Sequence, residues 1–260
     1  MVSSKQIFRA CCYIFAVIFY LPIISLCILS FNKSRIAGYP LRGFTLEWWK
    51  LFLSDPIALS AVKNSLVAAS VTSVLATLLG LGLALVLGRR VFRGRSALLY
   101  SMVIPIAIAY IIIGASLFLL FRRFLNIPLN LSTLIIGHTV VALPYSTLVL
   151  TARLIGFDKS LEEAAYDLGA TGFTVFKKII LPLIMPGIIS SLYMCFITSL
   201  EDVVLAEFLA GPDETVPLFI YGRLRRFYGL PEAMALSTFM ALLMLSLTAI
   251  YLTKAAVVRK

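Results

Sequence analysis

The stretch that decides the fold reads Glu163-Ala164-Ala165-Tyr166-Asp167-Leu168-Gly169 and, nine residues later, Ile179-Ile180-Leu181-Pro182. It is a short polar insert between long apolar segments of a mostly hydrophobic chain. Acidic residues stand beside alanines, whose small side chains let another surface approach closely. Such an insert is typical of a surface that a soluble partner binds.

The composition indicates a membrane protein. Apolar residues make up 61 % of the 260 residues and charged residues 13 %, whereas about 25 % of a soluble domain is charged. The apolar residues form runs of about 20 residues, long enough for a helix to cross a bilayer core of about 30 Å. The runs lack the polar–apolar alternation of a membrane barrel. The sequence therefore predicts an all-α integral membrane protein.

Six runs are predicted to be transmembrane helices: Phe8–Phe31, Ser65–Gly88, Ala97–Phe121, Leu131–Ala152, Leu183–Ala210 and Ala233–Thr253. The first run is longer than a typical signal-peptide core and has no clear cleavage site, so it is predicted to stay as a helix. An even number of spans places both termini on one side. Arg89, Arg90, Arg93 and Arg95 crowd the short loop after the second span. That density favours cytoplasmic N- and C-termini.

The net charge of +11 is compatible with nucleic-acid binding or with contact to anionic lipid. The basic residues stand at the ends of the runs, where they anchor helices at headgroups, and lipid contact is the preferred interpretation. Four cysteines lie within predicted spans and do not form a secreted disulfide framework: Cys11, Cys12, Cys27 and Cys195. They are interpreted as packing residues, with lipid attachment at the first two as the alternative.

Two segments outside the spans are predicted to be external. The first, Asn32–Asn64, contains a short predicted helix with Thr45 as its N-cap. Trp48, Trp49 and Phe52 would share one side of it. These aromatic residues either anchor the helix at the lipid interface or form a docking surface, and both interpretations stay open.

The second external segment is Gly211–Glu232. Three prolines are predicted to break helices there: Pro212, Pro217 and Pro231. Three arginines form a basic patch: Arg223, Arg225 and Arg226. No linker suggests a separate soluble part, so residues 1–260 are predicted to form a single transmembrane domain with a cytoplasmic insert at 153–181.

The cytoplasmic insert begins with a predicted helix. Ser160 and Glu163 fit a capping box, and Asp158 is a rival N-cap. An apolar stripe with helical spacing follows and ends at Gly169, a natural C-terminal stop: Leu161, Ala164, Ala165 and Leu168.

A second amphipathic piece completes the insert. It is predicted to place Phe173, Phe176 and Ile180 on one side, and Pro182 is predicted to open the fifth span. Two short helices joined by a glycine turn make a compact knob, which suits a cleft better than lipid.

The spacing within the insert resembles a family signature: Glu-Ala-Ala, three residues, Gly, nine residues, then Ile-x-Leu-Pro. It is the signature of the permease subunits of binding-protein-dependent ABC importers. The resemblance implies a type I importer (MetI-like) permease fold, an insert that docks into a groove on a separate ATPase dimer, a second permease and an extracytoplasmic solute-binding protein. It places the chain in the bacterial inner membrane. The matching residues are Glu163, Ala164, Ala165, Gly169, Ile179, Leu181 and Pro182.

Weaker matches extend over nearly the whole chain and are similar to the PotC-like permeases of spermidine/putrescine importers. They include Ser30-Phe31-Asn32, Gly43-Phe44-Thr45, Lys63-Asn64-Ser65-Leu66 and Ser199-Leu200-Glu201-Asp202. This resemblance implies a polyamine as the solute and a PotB-like paralogue as the second permease. Another small organic solute or a ferric ion is the alternative within the same class.

Glu201, Asp202 and Glu207 fall within the fifth predicted span. An ionised acid at mid-bilayer costs about 2.5–3.5 kcal/mol on insertion scales, so these acids need polar surroundings. The resemblance implies that the acidic pair lines the external end of the substrate pathway, with Asp202 and Glu201 ranking ahead of Glu207. The alternative is that the acids lie at an aqueous mouth or pair with the arginines of residues 223–226.

One feature departs from the PotC-like pattern. Many such chains carry an acid just after the proline of the third span, but Pro105 is followed here by Ile106 and Ala107. Tyr110 either lines the pore nearby or packs between helices. His138, the only histidine, is interpreted as a packed, hydrogen-bonded residue because one ligand cannot define a metal site.

The sequence predicts a transport subunit and not an enzyme. It has no Gly-x-x-x-x-Gly-Lys-[Ser/Thr] phosphate loop, so ATP is expected to bind the partner ATPase and no cofactor is expected in this chain. An intramembrane enzyme would need a His-Glu-x-x-His motif or a nucleophile with a base, which the sequence does not show. A self-sufficient channel would leave the knob unexplained.

Overall fold

The computed structural model describes residues 4–35, 38–89, 92–156, 158, 160–225 and 229–258. Within them the chain is helical apart from turns and one antiparallel bridge between Asn32 and Phe44. Two π-helical turns, Leu120–Phe124 and Phe176–Ile180, follow α5 and α8. The α-helices are α1 Ser4–Leu29, α2 Glu47–Ser54, α3 Pro56–Arg89, α4 Arg95–Ala107, α5 Tyr110–Leu119, α6 Leu131–Ile155, α7 Ser160–Asp167, α8 Gly172–Val175, α9 Leu181–Glu201, α10 Val204–Leu209, α11 Val216–Leu224 and α12 Leu230–Val258.

Five stretches of the described chain are long and apolar enough to cross a membrane: Cys11–Leu29, Pro56–Arg89, Leu131–Ile155, Gly172–Glu201 and Leu230–Thr253. A sixth span is present if α4 and the helical stretch Tyr110–Phe124 count as one, although they meet at 98°. The predicted all-α membrane fold is confirmed.

The third predicted span, Ala97–Phe121, is divided between two helices, α4 and α5. Between α4 and α5, Ile108 and Ala109 have extended backbones with ψ of 132° and 134°. Pro105, inside α4, cannot donate a backbone hydrogen bond to the carbonyl one turn earlier. It therefore weakens the helix just before the break.

The fifth predicted span, Leu183–Ala210, is displaced at both ends. Pro182 lies in the first turn of α9, where it was predicted, but the helical stretch runs unbroken over Gly172–Glu201 and so begins before it. The Leu181 N–H donates to the Phe176 carbonyl in the π-helical turn, and Pro182 follows in the first turn of α9. The wider π spacing accommodates the proline without a break. At the other end, α9 stops and α10 is a separate helix.

The chain forms two compact units, one of residues 1–59 and 219–247 and the other of residues 60–218 and 248–260. The first unit contains the short aromatic helix that the sequence predicted. Phe52 is buried and Trp49 stacks on Phe31 with ring centroids 5.4 Å apart. The Trp48 Nε1–H donates to the Asn32 carbonyl at 2.8 Å. These aromatic residues thus hold the segment onto its own unit.

The N-terminus of α2 differs slightly from its prediction. The helix begins at Glu47 and Thr45 is not the residue that immediately precedes it, although the Glu47 N–H donates to Thr45 Oγ1 at 3.1 Å. Pro217 and Pro231 lie in the first turns of α11 and α12. The prediction that they break helices is wrong, because a proline tolerates the first turn, where its missing N–H is not needed.

Arg223 has specific partners within the first unit. It donates to Asp55 Oδ2 at 2.8 Å and lies 3.6 Å from the carboxylate of Glu232. Of the remaining predicted basic patch, Arg225 donates to the Tyr221 hydroxyl, and Arg226 lies outside the described residues.

The second unit is built on close contact of α3, α6 and α9. A Cβ added at Gly88 would lie 2.7 Å from Leu154 Cβ, which shows how nearly α3 touches α6. Ser191 of α9 donates to the Ser146 hydroxyl of α6 at 2.7 Å. Small residues and interhelical hydrogen bonds are the usual means of helix association in membranes. Buried Cys195 belongs to this core, which confirms its interpretation as a packing residue.

Candidate coupling knob and acidic membrane site

Asp158 caps the first helix of the insert. Its Oδ1 accepts a hydrogen bond from the Ser160 N–H at 2.9 Å, and α7 begins at Ser160 itself. The prediction that Ser160 is the N-cap is therefore wrong, and its rival supplies the cap. The hydrogen bonds from Ser160 lower the pKa of the Asp158 carboxyl, because they stabilise its charged form.

The turn after α7 requires a glycine. Gly169 has a φ of +81°, its N–H donates to the Tyr166 carbonyl at 2.9 Å, and the Ala170 N–H donates to the Ala165 carbonyl at 3.0 Å. These two bonds form a Schellman motif, in which the left-handed residue lets the chain reverse. Thr171 then caps α8 by accepting from the Thr174 N–H at 3.4 Å. The predicted pair of short helices with a glycine turn is confirmed, and we name residues 160–180 the coupling knob.

One side of the coupling knob packs against the helix bundle. Ala165, Ala170 and Phe176 lie against a buried cluster: Ala84, Leu150, Leu154, Val175, Ile180 and Ile184. This cluster draws residues from α3, α6 and α9, so the knob packs against three long helices.

The other side of the knob is exposed. Leu161, Leu168 and Phe173 are 51 %, 89 % and 74 % exposed. The prediction that Phe173 shares a side with Phe176 and Ile180 is wrong, because Phe173 is exposed whereas Ile180 is buried and Phe176 packs against the buried cluster. Of the predicted docking residues, the structure exposes Glu163, Ala164, Gly169 and Pro182 and partly buries Ala165, Ile179 and Leu181.

An ion pair fixes α7 to the end of α3. Arg89 Nη1 binds Glu162 Oε1, and both side chains are mostly buried, at 15 % and 14 % exposure. The contact places the arginine-rich loop and the knob on the same side of the bundle. The pair was not predicted, since Glu162 and Arg89 are 73 residues apart. Arg90 lies outside the described residues.

The acidic site lies at the break between α9 and α10. Asp202 has an extended backbone, and its Oδ2 accepts from the Leu205 N–H at 2.8 Å and the Ala206 N–H at 3.3 Å. The same oxygen lies 3.2 Å from His138 Nε2, and His138 Nδ1 lies 2.6 Å from Ser199 Oγ. The interpretation of His138 as a packed, hydrogen-bonded residue is confirmed.

The three predicted acids do not share one helix. Glu201 is the last residue of α9 and Glu207 belongs to α10, and both are exposed, whereas Asp202 is buried. The prediction of one continuous acidic span is wrong, because Asp202 ends α9 and caps the next helix. Tyr110 packs against the core around α10 and lies within electrostatic reach of both carboxylates at the break.

A narrow crevice runs beside the break. It has no room for a water molecule, and its lining is mostly apolar. Tyr110, His138, Ser199 and Asp202 contribute to its wall. Within the described residues there is no group of three or more His, Cys, Asp or Glu side chains that could hold a metal ion.

Comparisons with known proteins agree with this architecture. Residues 76–259 match the family described as "Binding-protein-dependent transport system inner membrane component", and the chain belongs to that family. It is a multi-pass permease of the inner membrane and a transport subunit.

Two sequence relatives and one solved structure are similar to the chain over most of its length. The chain is 38 % identical over 227 residues to the spermidine/putrescine transport system permease protein PotC of Escherichia coli (strain K12), covering 87 % of this chain and 85 % of that protein. It is 36 % identical over 228 residues to the putrescine transport system permease protein PotI of the same strain, covering 84 % and 80 %. A bacterial ABC transporter of the acidic polysaccharide alginate has the same fold, with a TM-score of 0.74, 18 % identity and 98 % and 97 % coverage.

Proposed function

We propose that this chain is a permease subunit of an ATP-driven polyamine importer. It forms part of the transmembrane pathway for spermidine or putrescine and couples closure of an ATPase dimer to alternating access. The observation that carries the proposal is the similarity to the spermidine/putrescine permease over 87 % of the chain. A second permease of the PotB-like type and an extracytoplasmic solute-binding protein complete the assembly, and ATP binds the ATPase.

The coupling knob is the proposed ATPase contact. Its exposed apolar side chains have no role in water, and such surface marks an interaction site. Glu163, Ala164 and Gly169 present the docking face, while Ala165, Ile179 and Leu181 hold it on the bundle. The knob and the arginine-rich loop lie on one side, and the positive-inside rule supports the proposal that this side and both termini are cytoplasmic.

A single helical stretch joins the knob to the acidic site. The stretch Gly172–Glu201 contains 30 residues and is about 45 Å long at 1.5 Å per residue. A movement that the ATPase imposes on the knob therefore reaches the break after α9 through one continuous element. This arrangement suits a permease in which a cytoplasmic ATPase opens and closes a distant solute pathway.

The acidic group Glu201, Asp202 and Glu207 is proposed to form the cation-recognising part of the pathway. Carboxylates attract the ammonium groups of a polyamine and replace part of their hydration through charge-assisted hydrogen bonds. Ile106 and Ala107 stand where many similar permeases carry an acid, so one such contact is absent here. Another small organic cation or a ferric ion is the second candidate solute.

Reconstitution tests the proposal. The chain is assembled in liposomes with its ATPase, second permease and binding protein, and ATP-dependent uptake of labelled spermidine and putrescine is measured. Glu201→Gln should reduce uptake of both, whereas Glu47→Gln, an exposed acid on α2, should not. Absence of polyamine uptake by the unmodified chain, together with uptake of a different solute, would contradict the polyamine assignment.

A further inference from the structure

His138 has two hydrogen-bond partners within the second unit, Ser199 and Asp202. The side chains of His138 and Asp202 are 2 % and 4 % exposed, and both ring nitrogens are within hydrogen-bond distance of a partner. A neutral ring protonated on Nε2 satisfies both contacts: Nε2–H donates to the Asp202 carboxylate, and Nδ1 accepts from the Ser199 hydroxyl. His138 thereby ties α6 to the C-terminal turn of α9.

Asp202 in turn starts a new helix. Its Oδ2 binds two backbone N–H groups at the beginning of α10, as an N-cap does. The apolar side of α10 is buried in the core through Leu205, Ala206 and Leu209. Loss of the carboxylate would leave the first N–H groups of α10 and the Nε2–H of the imidazole buried without a partner, which is costly. The break between the helices therefore depends on Asp202.

The two neighbouring carboxylates differ in access. The crevice beside Asp202 has no room for a water molecule, and an ammonium group is no smaller than water. Glu201 is exposed at the end of α9. Of these two neighbouring carboxylates, that of Glu201 is open to a cationic solute and that of Asp202 is not.

We propose that His138 and Asp202 are positioning residues that hold the α9–α10 break, and that Glu201 is the carboxylate that contacts the ammonium group of the solute. This inference rests on the proposed function and divides its acidic group into separate roles. The orientation of Glu201 follows from the point at which α9 ends, and the His138–Asp202 contact determines that point.

Uptake kinetics of the assembled importer test the division of roles. Glu201→Gln should raise the KM for spermidine about tenfold. Asp202→Asn should raise the KM clearly less than Glu201→Gln does, because asparagine caps helices as well as aspartate does and its carbonyl still accepts from His138. A KM for Asp202→Asn as high as that of Glu201→Gln would overturn the inference.

A double-mutant cycle tests His138. His138→Leu should raise the KM about tenfold when Glu201 is present and less than about twofold in the Glu201→Gln background, while His138→Gln, which keeps a donor, should behave like the unmodified chain. A merely structural role would lower the amount of assembled importer without this dependence on Glu201. Equal KM effects of His138→Leu in both backgrounds would overturn the positioning role.

Chemical labelling separates this inference from the proposed function. A water-soluble carbodiimide with an amine, applied to the reconstituted importer and mapped by mass spectrometry, should modify Glu201 in the unmodified chain and Asp202 only after His138→Leu. This result does not depend on which solute is transported. Equal labelling of both acids in the unmodified chain would overturn the inference, whereas absence of spermidine uptake with the expected labelling would overturn only the polyamine assignment.

Discussion

Gly169 offers a quantitative test of the coupling knob. The residue has a φ of +81°, and a Cβ added there would meet no atom within 4 Å. Gly169→Ala therefore adds no clash within the chain and costs only the strain of a left-handed alanine, roughly 1–2 kcal/mol. If the free knob relaxes and must recover the turn in order to dock, this strain lowers its affinity for the ATPase by about 5- to 30-fold.

The assay compares Gly169→Ala with Gly169→Asn in binding of the reconstituted permease to its purified ATPase. Asparagine is larger than alanine but tolerates the left-handed region, so it should recover part of the affinity. Gly172→Ala is the matched control, since Gly172 begins α8 and an added Cβ there would approach only the Tyr166 hydroxyl, at 3.8 Å. An asparagine variant weaker than the alanine variant would refute the strain argument, because that order indicates a clash with the ATPase.

Three further perturbations follow from the contacts of the second unit. Arg89→Glu or Glu162→Arg alone should destabilise the attachment of the knob by about 1.5–3 kcal/mol and reduce uptake per ATP hydrolysed; the double exchange should restore that ratio, and its failure to do so would count against the ion pair. Gly80→Ala should lower the thermal unfolding midpoint in detergent because it overpacks the α3–α6 contact by about 1–3 kcal/mol, whereas Gly82→Ala, which faces open space, should not; equal midpoints would contradict this. Asp158→Ala should increase amide exchange in α7, and Asp158→Asn should not. Since its folded pKa is lowered from 3.8, protection by the Asp158 cap should be constant above about pH 4 and be lost as the pH falls through the lower folded value, so loss already at pH 6 would exclude the cap as its cause.

The knob and the acidic site show why one long helix matters for transport. Alternating access requires that an event at one face of the membrane change the accessibility of the other. In the proposed function, the continuous stretch into α9 carries displacement along its axis, and in the further inference the His138–Asp202 contact determines where that stretch ends. A variant that uncouples either end should hydrolyse ATP without moving solute, which distinguishes a coupling defect from loss of assembly.

Features that depend on chain neighbours were predictable from the sequence. The apolar runs predicted the membrane helices. A backbone in lipid must satisfy its own hydrogen bonds, and a helix does so within one segment. Gly169, following Ala164 and Ala165, predicted the turn of the knob. A Schellman motif needs a residue that adopts a positive φ easily, and glycine does so. The spacing of the insert likewise identified the family that the match over residues 76–259 then established.

Features that join distant residues were decided by the tertiary structure alone. Arg89 and Glu162 are 73 residues apart, and His138 and Asp202 are 64 apart, so no local pattern connects them. The end of α9 was missed for a related reason: in a run that is apolar on every side, periodicity carries no signal for where a helix stops. Glu201 and Asp202 are adjacent in sequence, yet one is open and the other enclosed. Packing of α6 against α9 makes that distinction, because it alone determines which carboxylate meets a buried imidazole.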